Sequence, residues 1–256
     1  MTTHNIQAKG ATLFAKDEGT GPTLVFSHGL GLDHRIWDGV VAQLPDHRCV
    51  RYDLRGHGQS DVPDGPYSMG TLISDAEAVC DSLGLKDVVF IGLSAGGLIA
   101  QGLAVKRLDM VRGMTLIASA AKHGQPEPWH ARAKTVRDGG MPAIIPEMLE
   151  RWNARDDGAQ LENWLTRANT EGFAATCEAI AGTDFYTPTS GLRLPTLGLC
   201  GNYDKATPPD LVRETTDLVP GSQFHLIRGA GHIAPVTHAD DITARLTQFL
   251  TSIGHV

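Results

Sequence analysis

The sequence predicts an α/β fold: a mostly parallel central sheet flanked by helices, interrupted once by a helical segment. Two observations carry this. Short apolar and β-branched runs alternate with stretches of helical spacing from residue 23 to 118, and again from 195 to 250. Between them, residues 121 to 190 read as helical and amphipathic, with no clear strand. Alternation of that kind builds parallel strands covered by helices on both faces. At 256 residues the chain is long enough for one such domain with a full core.

The elements run in order. Thr23 to Ser27 reads as a buried strand, Ile36 to Leu44 as a helix stopped by Pro45, and His47 to Asp53 as the next strand. Thr71 to Leu83 has helical spacing at Leu72, Ala76, Val79 and Leu83, with Gly84 as its stop. Val88 to Leu93 is an apolar strand, Ala95 to Arg107 a helix, and Met114 to Ala118 a strand. After the helical segment, strand Pro195 to Cys200, helix Pro209 to Leu218, strand Gln223 to Ile227 and helix Asp240 to Leu250 restore the rhythm. The segment holds Trp129, Trp152 and Trp164, three of the four tryptophans. An insertion leaving the carboxyl ends of the strands would cover the place where α/β sheets bind ligands.

Composition narrows the function classes. A formal charge of −7 gives no general attraction to nucleic acid or anionic membrane, so a small molecule is the expected partner. No apolar run approaches a membrane span, and MTTHNIQAKG lacks the layout of a secretory leader, which makes the cytoplasm the expected location. Cys49, Cys80, Cys177 and Cys200 are scattered and read as buried free thiols.

The stretch GLSAGG, residues 92–97, sits between the strand ending at Leu93 and the helix starting at Ala95. Strand, Gly-x-Ser-x-Gly and helix in that order form a nucleophile elbow, a bend so sharp that the neighbours of the serine must be small. Ser94 is the candidate nucleophile. A serine hydroxyl needs a base, and the base an orienting acid. Of eleven histidines, His232 in GAGHIAP lies in the loop after the strand ending at Ile227 and suits the base. Asp204 in CGNYDKATPP follows the strand ending at Cys200 and suits the acid, whereas Ser119, Ala120 and Ala121 after the preceding strand offer no carboxylate. HGLG, residues 28–31, provides a loop in which the backbone N–H of Leu30 can converge with that of Ala95 on an oxyanion. His57 in DLRGHG reads as a loop brace, and His28 as part of the oxyanion loop. His4, His34, His47, His123, His130, His225, His238 and His255 read as surface or packing residues. No histidine pair has metal-ligand spacing, so no metal is expected.

With these parts placed, the sequence resembles the α/β-hydrolase superfamily over nearly its whole length, and within it the 3-oxoadipate enol-lactonases. HGLGLDHRIWD (28–38), YDLRGHGQSDVPDGPYSM (52–69), GLSAGGLIAQGLA (92–104), GNYDKATPP (201–209), GAGHIAPV (229–236) and RANTEGFAATCEAIAGTDF (167–185) carry the likeness. RWNARDDGAQ (151–160) departs from it, since the family leads one to expect an aromatic after Trp152. The resemblance implies an α/β-hydrolase core, 1–120 and 191–256, with a helical cap, 121–190, inserted after the sixth strand. It also implies hydrolysis of an anionic enol-lactone without a cofactor. The substrate's carboxylate then needs a cation, and Lys122, Arg132, Lys134, Arg137, Arg151 and Arg155 are candidates, with Trp129 and Arg132 taken as the substrate-binding pair. A carboxylesterase or other lactonase, a perhydrolase-like side activity, and a ligand sensor on the same scaffold are the rival readings.

Overall fold

A computed structural model describes residues 1–154 and 158–256. Eight strands form one sheet: β1 (Thr2–Ala8), β2 (Ala11–Glu18), β3 (Thr23–Ser27), β4 (Arg48–Tyr52), β5 (Val88–Leu93), β6 (Val111–Ile117), β7 (Thr196–Gly201) and β8 (Gln223–Ile227). Their order across the sheet is β1-β2-β4-β3-β5-β6-β7-β8. The β1/β2 and β2/β4 pairs are antiparallel, and every pair from β4/β3 to β7/β8 is parallel. Every residue of β5 is buried, which is the signature of a strand covered on both faces.

The helices are α1 (Asp38–Val41), α2 (Met69–Ser82), α3 (Ala95–Lys106), α4 (Pro126–Gly139), α5 (Ile145–Trp152), α6 (Gly158–Arg167), α7 (Thr170–Ala181), α8 (Tyr186–Ser190), α9 (Pro209–Asp217), α10 (Ala234–Thr237) and α11 (Ala239–Ser252). Five of them, α4 to α8, lie between β6 and β7. The helix expected over Ile36 to Leu44 is instead a 3-10 turn, His34–Trp37, followed by the four residues of α1. Asp33 sets the start of that turn by accepting the N–H of Arg35 at 3.0 Å. The hairpin β1–β2 has no counterpart among the elements expected from the sequence. Its signal is the two-residue alternation of buried Ala11, Leu13 and Ala15, which sits on small residues and is therefore weak.

The parallel sheet determines where the functional loops go. The turns leaving β3, β5, β6, β7 and β8 all open at the carboxyl edge, and each carries part of the candidate active site.

Candidate active site

The elbow is dictated by its glycines. Ser94 has φ 54° and ψ −115°, a left-handed backbone that a non-glycine residue holds only under constraint. Its N–H is fixed to the Ile117 carbonyl at 2.9 Å. A Cβ on Gly92 would lie 2.2 Å from the Gly96 carbonyl oxygen, and one on Gly96 would lie 2.2 Å from that of Ser27. The bend thus brings backbone so close to backbone that only glycine fits either side of the serine. Ser94 Oγ makes no hydrogen bond among the described residues and borders a cavity whose free space of about 440 Å³ is in part open to solvent.

His232 lies in the wall of the same cavity and is 3% exposed. Its Nδ1 is 2.8 Å from Asp204 Oδ2. The carboxylate is anchored on its other side by the N–H groups of Ala206, at 2.8 Å, and Thr207, at 3.0 Å, which both donate to Oδ1. Thr207 Oγ1 stands 2.9 Å from Oδ2 and 3.3 Å from His232 Nδ1. An acid held this way keeps the imidazole proton on Nδ1 and leaves Nε2 as a base. Trp152 stacks on the His232 ring at 6.2 Å between centroids.

Leu30 lines the cavity, and Ala95 directly follows Ser94 as the first residue of α3. Neither backbone N–H has a partner among the described residues. For Ala95 this is a consequence of its place in the first turn, where helical N–H groups have no acceptor within the helix. The loop 28–31 presses on Ser94, the candidate nucleophile, since a Cβ on Gly29 would lie 3.2 Å from Ser94 Cβ. Two preorganised donors beside an open hydroxyl and a buried His–Asp pair are the equipment of acyl transfer.

The comparisons with known proteins bear on the family and the fold. A model described as alpha/beta hydrolase family matches residues 24–246. The chain belongs to the alpha/beta hydrolase family. It is 31% identical over 253 residues to 3-oxoadipate enol-lactonase 2 of Acinetobacter baylyi, covering 94% of this chain and 90% of that one. Among solved structures it resembles the enol-lactonase from Burkholderia xenovorans LB400, with TM-score 0.92 and 32% identity, over 98% of this chain and 100% of that one. A malate-bound thermophilic esterase from Thermogutta terrifontis superposes with TM-score 0.92 at 29% identity, over 100% and 99% of the two chains.

In this α/β-hydrolase chain the basic candidates separate cleanly. Arg132 and Arg151 line the cavity. Arg132 lies 4.6 Å from the centre of the Trp129 ring, pairs with Glu147, and has its Nε buried without a partner among the described residues. Arg151 is held below its usual pKa, first by burial and then by the charge of Arg132. Lys122 pairs with Asp184 at 3.3 Å, Lys134 pairs with Asp138, and Arg137 spans Glu171 and Glu178, so these three serve the surface of the helical segment between β6 and β7. Arg155 lies outside the described residues.

The structure adds two residues to the candidates. His123, expected among the surface and packing histidines, forms part of the cavity wall beside Ser94. Thr207, which joins the acid to the base, is absent from the candidates that the sequence suggests. The signal available for it is its position three residues after Asp204, where a hydroxyl can turn back onto the carboxylate. His57 braces the oxyanion loop by accepting the Gly31 N–H at 3.1 Å, and His28 accepts that of Leu54 at 3.0 Å. Asp33, His34 and Asp53 bring donor atoms within 4.8 Å of one another. Their oxygens are already engaged by Arg35, by His34 and by the Gln59 N–H at 2.8 Å, which is loop bracing.

Proposed function

We propose that this chain is a serine hydrolase that opens an enol-lactone, converting 3-oxoadipate enol-lactone to 3-oxoadipate through an acyl-enzyme on Ser94. The observation that carries the reading is the arginine pair. Arg132 and Arg151 share one cavity with Ser94 and His232, and Arg151 has no carboxylate partner among the described residues. Glu147 offsets one of the two charges, and a lactone bearing a free carboxylate would offset the other.

The chemistry is assigned residue by residue. Ser94 Oγ attacks the ring carbonyl while His232 Nε2 takes its proton, and the N–H groups of Leu30 and Ala95 hold the oxyanion. Asp204 steadies the imidazolium. The acyl–oxygen bond breaks, the enol oxygen leaves with the proton from His232, and the enol becomes a ketone. Water, deprotonated by His232, then attacks the acyl carbon. Ser94 recovers its proton and the acid is released. No step requires a cofactor. Residues 121–190 act as the cap over a core of 1–120 and 191–256, with Trp129 and Arg132 on the carboxylate of the substrate.

A second reading, a carboxylesterase for short acids, draws on the likeness to the malate-bound esterase. One comparison decides between them: kcat/KM for freshly generated 3-oxoadipate enol-lactone, p-nitrophenyl acetate and a simple γ-lactone. The lactonase reading expects about 10⁴ M⁻¹s⁻¹ or more on the enol-lactone, with the other two far below. Good ester turnover with weak enol-lactone turnover would replace it by the esterase.

A further inference from the structure

The cavity contains a histidine that the proposed reaction leaves unused. His123 is 9% exposed and lines the cavity with Ser94, Trp129 and Arg151. Its Nε2 accepts the Ala120 N–H at 3.2 Å and lies 3.3 Å from Ser119 Oγ. That hydroxyl donates to the Ser94 carbonyl at 2.7 Å, so the ring is tied to the elbow. Its own carbonyl accepts the Trp129 indole N–H at 2.5 Å, which ties it to the lid as well.

A backbone N–H can only donate. Nε2 must therefore carry a lone pair, and the neutral ring bears its proton on Nδ1. Burial, followed by the positive charge available to His232, pushes its pKa down to about 3, which favours the neutral ring. Nδ1 has no partner among the described residues and is not one of the fully buried unpartnered atoms, so it keeps some exposure.

We infer that His123 presents Nδ1–H to the substrate as a fixed, uncharged hydrogen-bond donor, and that its acceptor is the oxygen between the reacting carbonyl and the carboxylate. Elimination identifies that oxygen, resting on the lactonase reading for the substrate. The reacting carbonyl belongs to Leu30 and Ala95, and the carboxylate to the arginines. What remains is the second lone pair of the ring oxygen, which takes the proton of His232 on its first as it leaves as the enol and becomes the ketone of the product. A neutral donor suits an oxygen that is uncharged in both substrate and product. His123 is thus a specificity residue for keto acids and their enol esters over plain alkyl ones.

Titration calorimetry with 3-oxoadipate and adipate, which differ only by the ketone, tests this without relying on turnover. The wild type should bind the keto acid tighter by about tenfold, the worth of one good hydrogen bond. His123→Leu should erase that ratio, while His123→Asn, whose amide reaches the Nδ1 position, should keep part of it. Preservation of the ratio in the Leu variant, or its absence in the wild type, overturns the assignment. Should the Leu variant not fold, ¹⁵N spectra of the wild-type ring decide: a proton on Nδ1 supports the donor, and one on Nε2 removes it. A wild type with the ratio but no enol-lactone turnover would retain His123 and discard the lactonase; turnover without the ratio would do the reverse.

Discussion

At the scale of single residues, the strained backbone of Ser94 at φ 54° is the point on which the proposed activity turns. Ser94→Ala leaves the elbow's hydrogen bonds untouched, because they come from its backbone, and removes only Oγ. It should lower kcat by roughly 10³-fold or more with an unchanged far-UV spectrum; a folded variant with near-normal turnover would remove the nucleophile. Asp204→Asn should be similarly severe, since an amide can donate where the carboxylate only accepts and so upsets the tautomer of His232. The arginines are tested differently. Arg132→Leu should raise KM for the carboxylate-bearing lactone by about tenfold or more and affect p-nitrophenyl acetate far less. Equal losses on both would mean that Arg132 supports the fold of the lid and does not grip substrate. The residues hardest to read from sequence are those whose role lies in one atom's partner. GLSAGG marks Ser94 by local pattern, whereas His123 depends on which ring nitrogen meets the Ala120 N–H, and no spacing encodes that.

At the scale of elements, the end of α5 is attached to two loops of the core. The Trp152 carbonyl accepts the His232 N–H at 2.9 Å, and the Arg151 carbonyl accepts the Lys205 N–H at 3.2 Å. Carbonyls in the last turn of a helix lack intrahelical donors, and here the loops carrying His232 and Asp204 supply them. The helix stops there because Asn153 turns left-handed at φ 52°. The contact is so close that a Cβ on Gly231 would lie 2.2 Å from the Trp152 carbonyl oxygen. Gly231→Ala should therefore push α5 off the loop and misplace His232, reducing kcat on every ester by about 10²-fold, with a modest loss of thermal stability. Normal kcat in that variant would show that α5 and the loop move independently. None of this register is visible in the chain. The strands and helices of the core are, because their hydrophobic period is local. The hairpin β1–β2 escapes detection because its buried face has few large apolar residues, Ile6 and Leu13, set among alanines. The short turn at His34–Trp37 escapes it because Ile36, Val40 and Leu44 mimic helical spacing across it.

At the scale of the whole molecule, net charge and buried histidines make opposite predictions for acid. With a formal charge of −7 and a sequence pI near 5.8, self-repulsion weakens as the pH falls toward 5.8, which would favour the folded state. Three buried histidines oppose this. His28, His57 and His123 each accept a backbone N–H at Nε2, so none can be protonated without losing that bond. Burial, with the charge of His28 second, pushes His57 down to about 4; His123 falls to about 3, and His28 also falls below its ordinary value through burial. Above pH 6.5 neither folded nor unfolded chain binds these protons. Below it the unfolded chain takes them up first, so stability is lost as pH falls from 6.5 toward each folded value. From pH 6.5 to 5 that amounts to on the order of 2 kcal/mol for each of His57 and His123. Asp33 and Asp53, whose pKa values are lowered, lose their contribution only below the ordinary carboxylate range and do not enter this window. The urea midpoint should therefore fall steadily between pH 7 and 5, and His57→Phe should flatten the slope even though losing the Gly31 bond lowers stability at every pH. A midpoint that holds or rises down to pH 5 would mean that charge dominates and that these rings accept protons inside the fold.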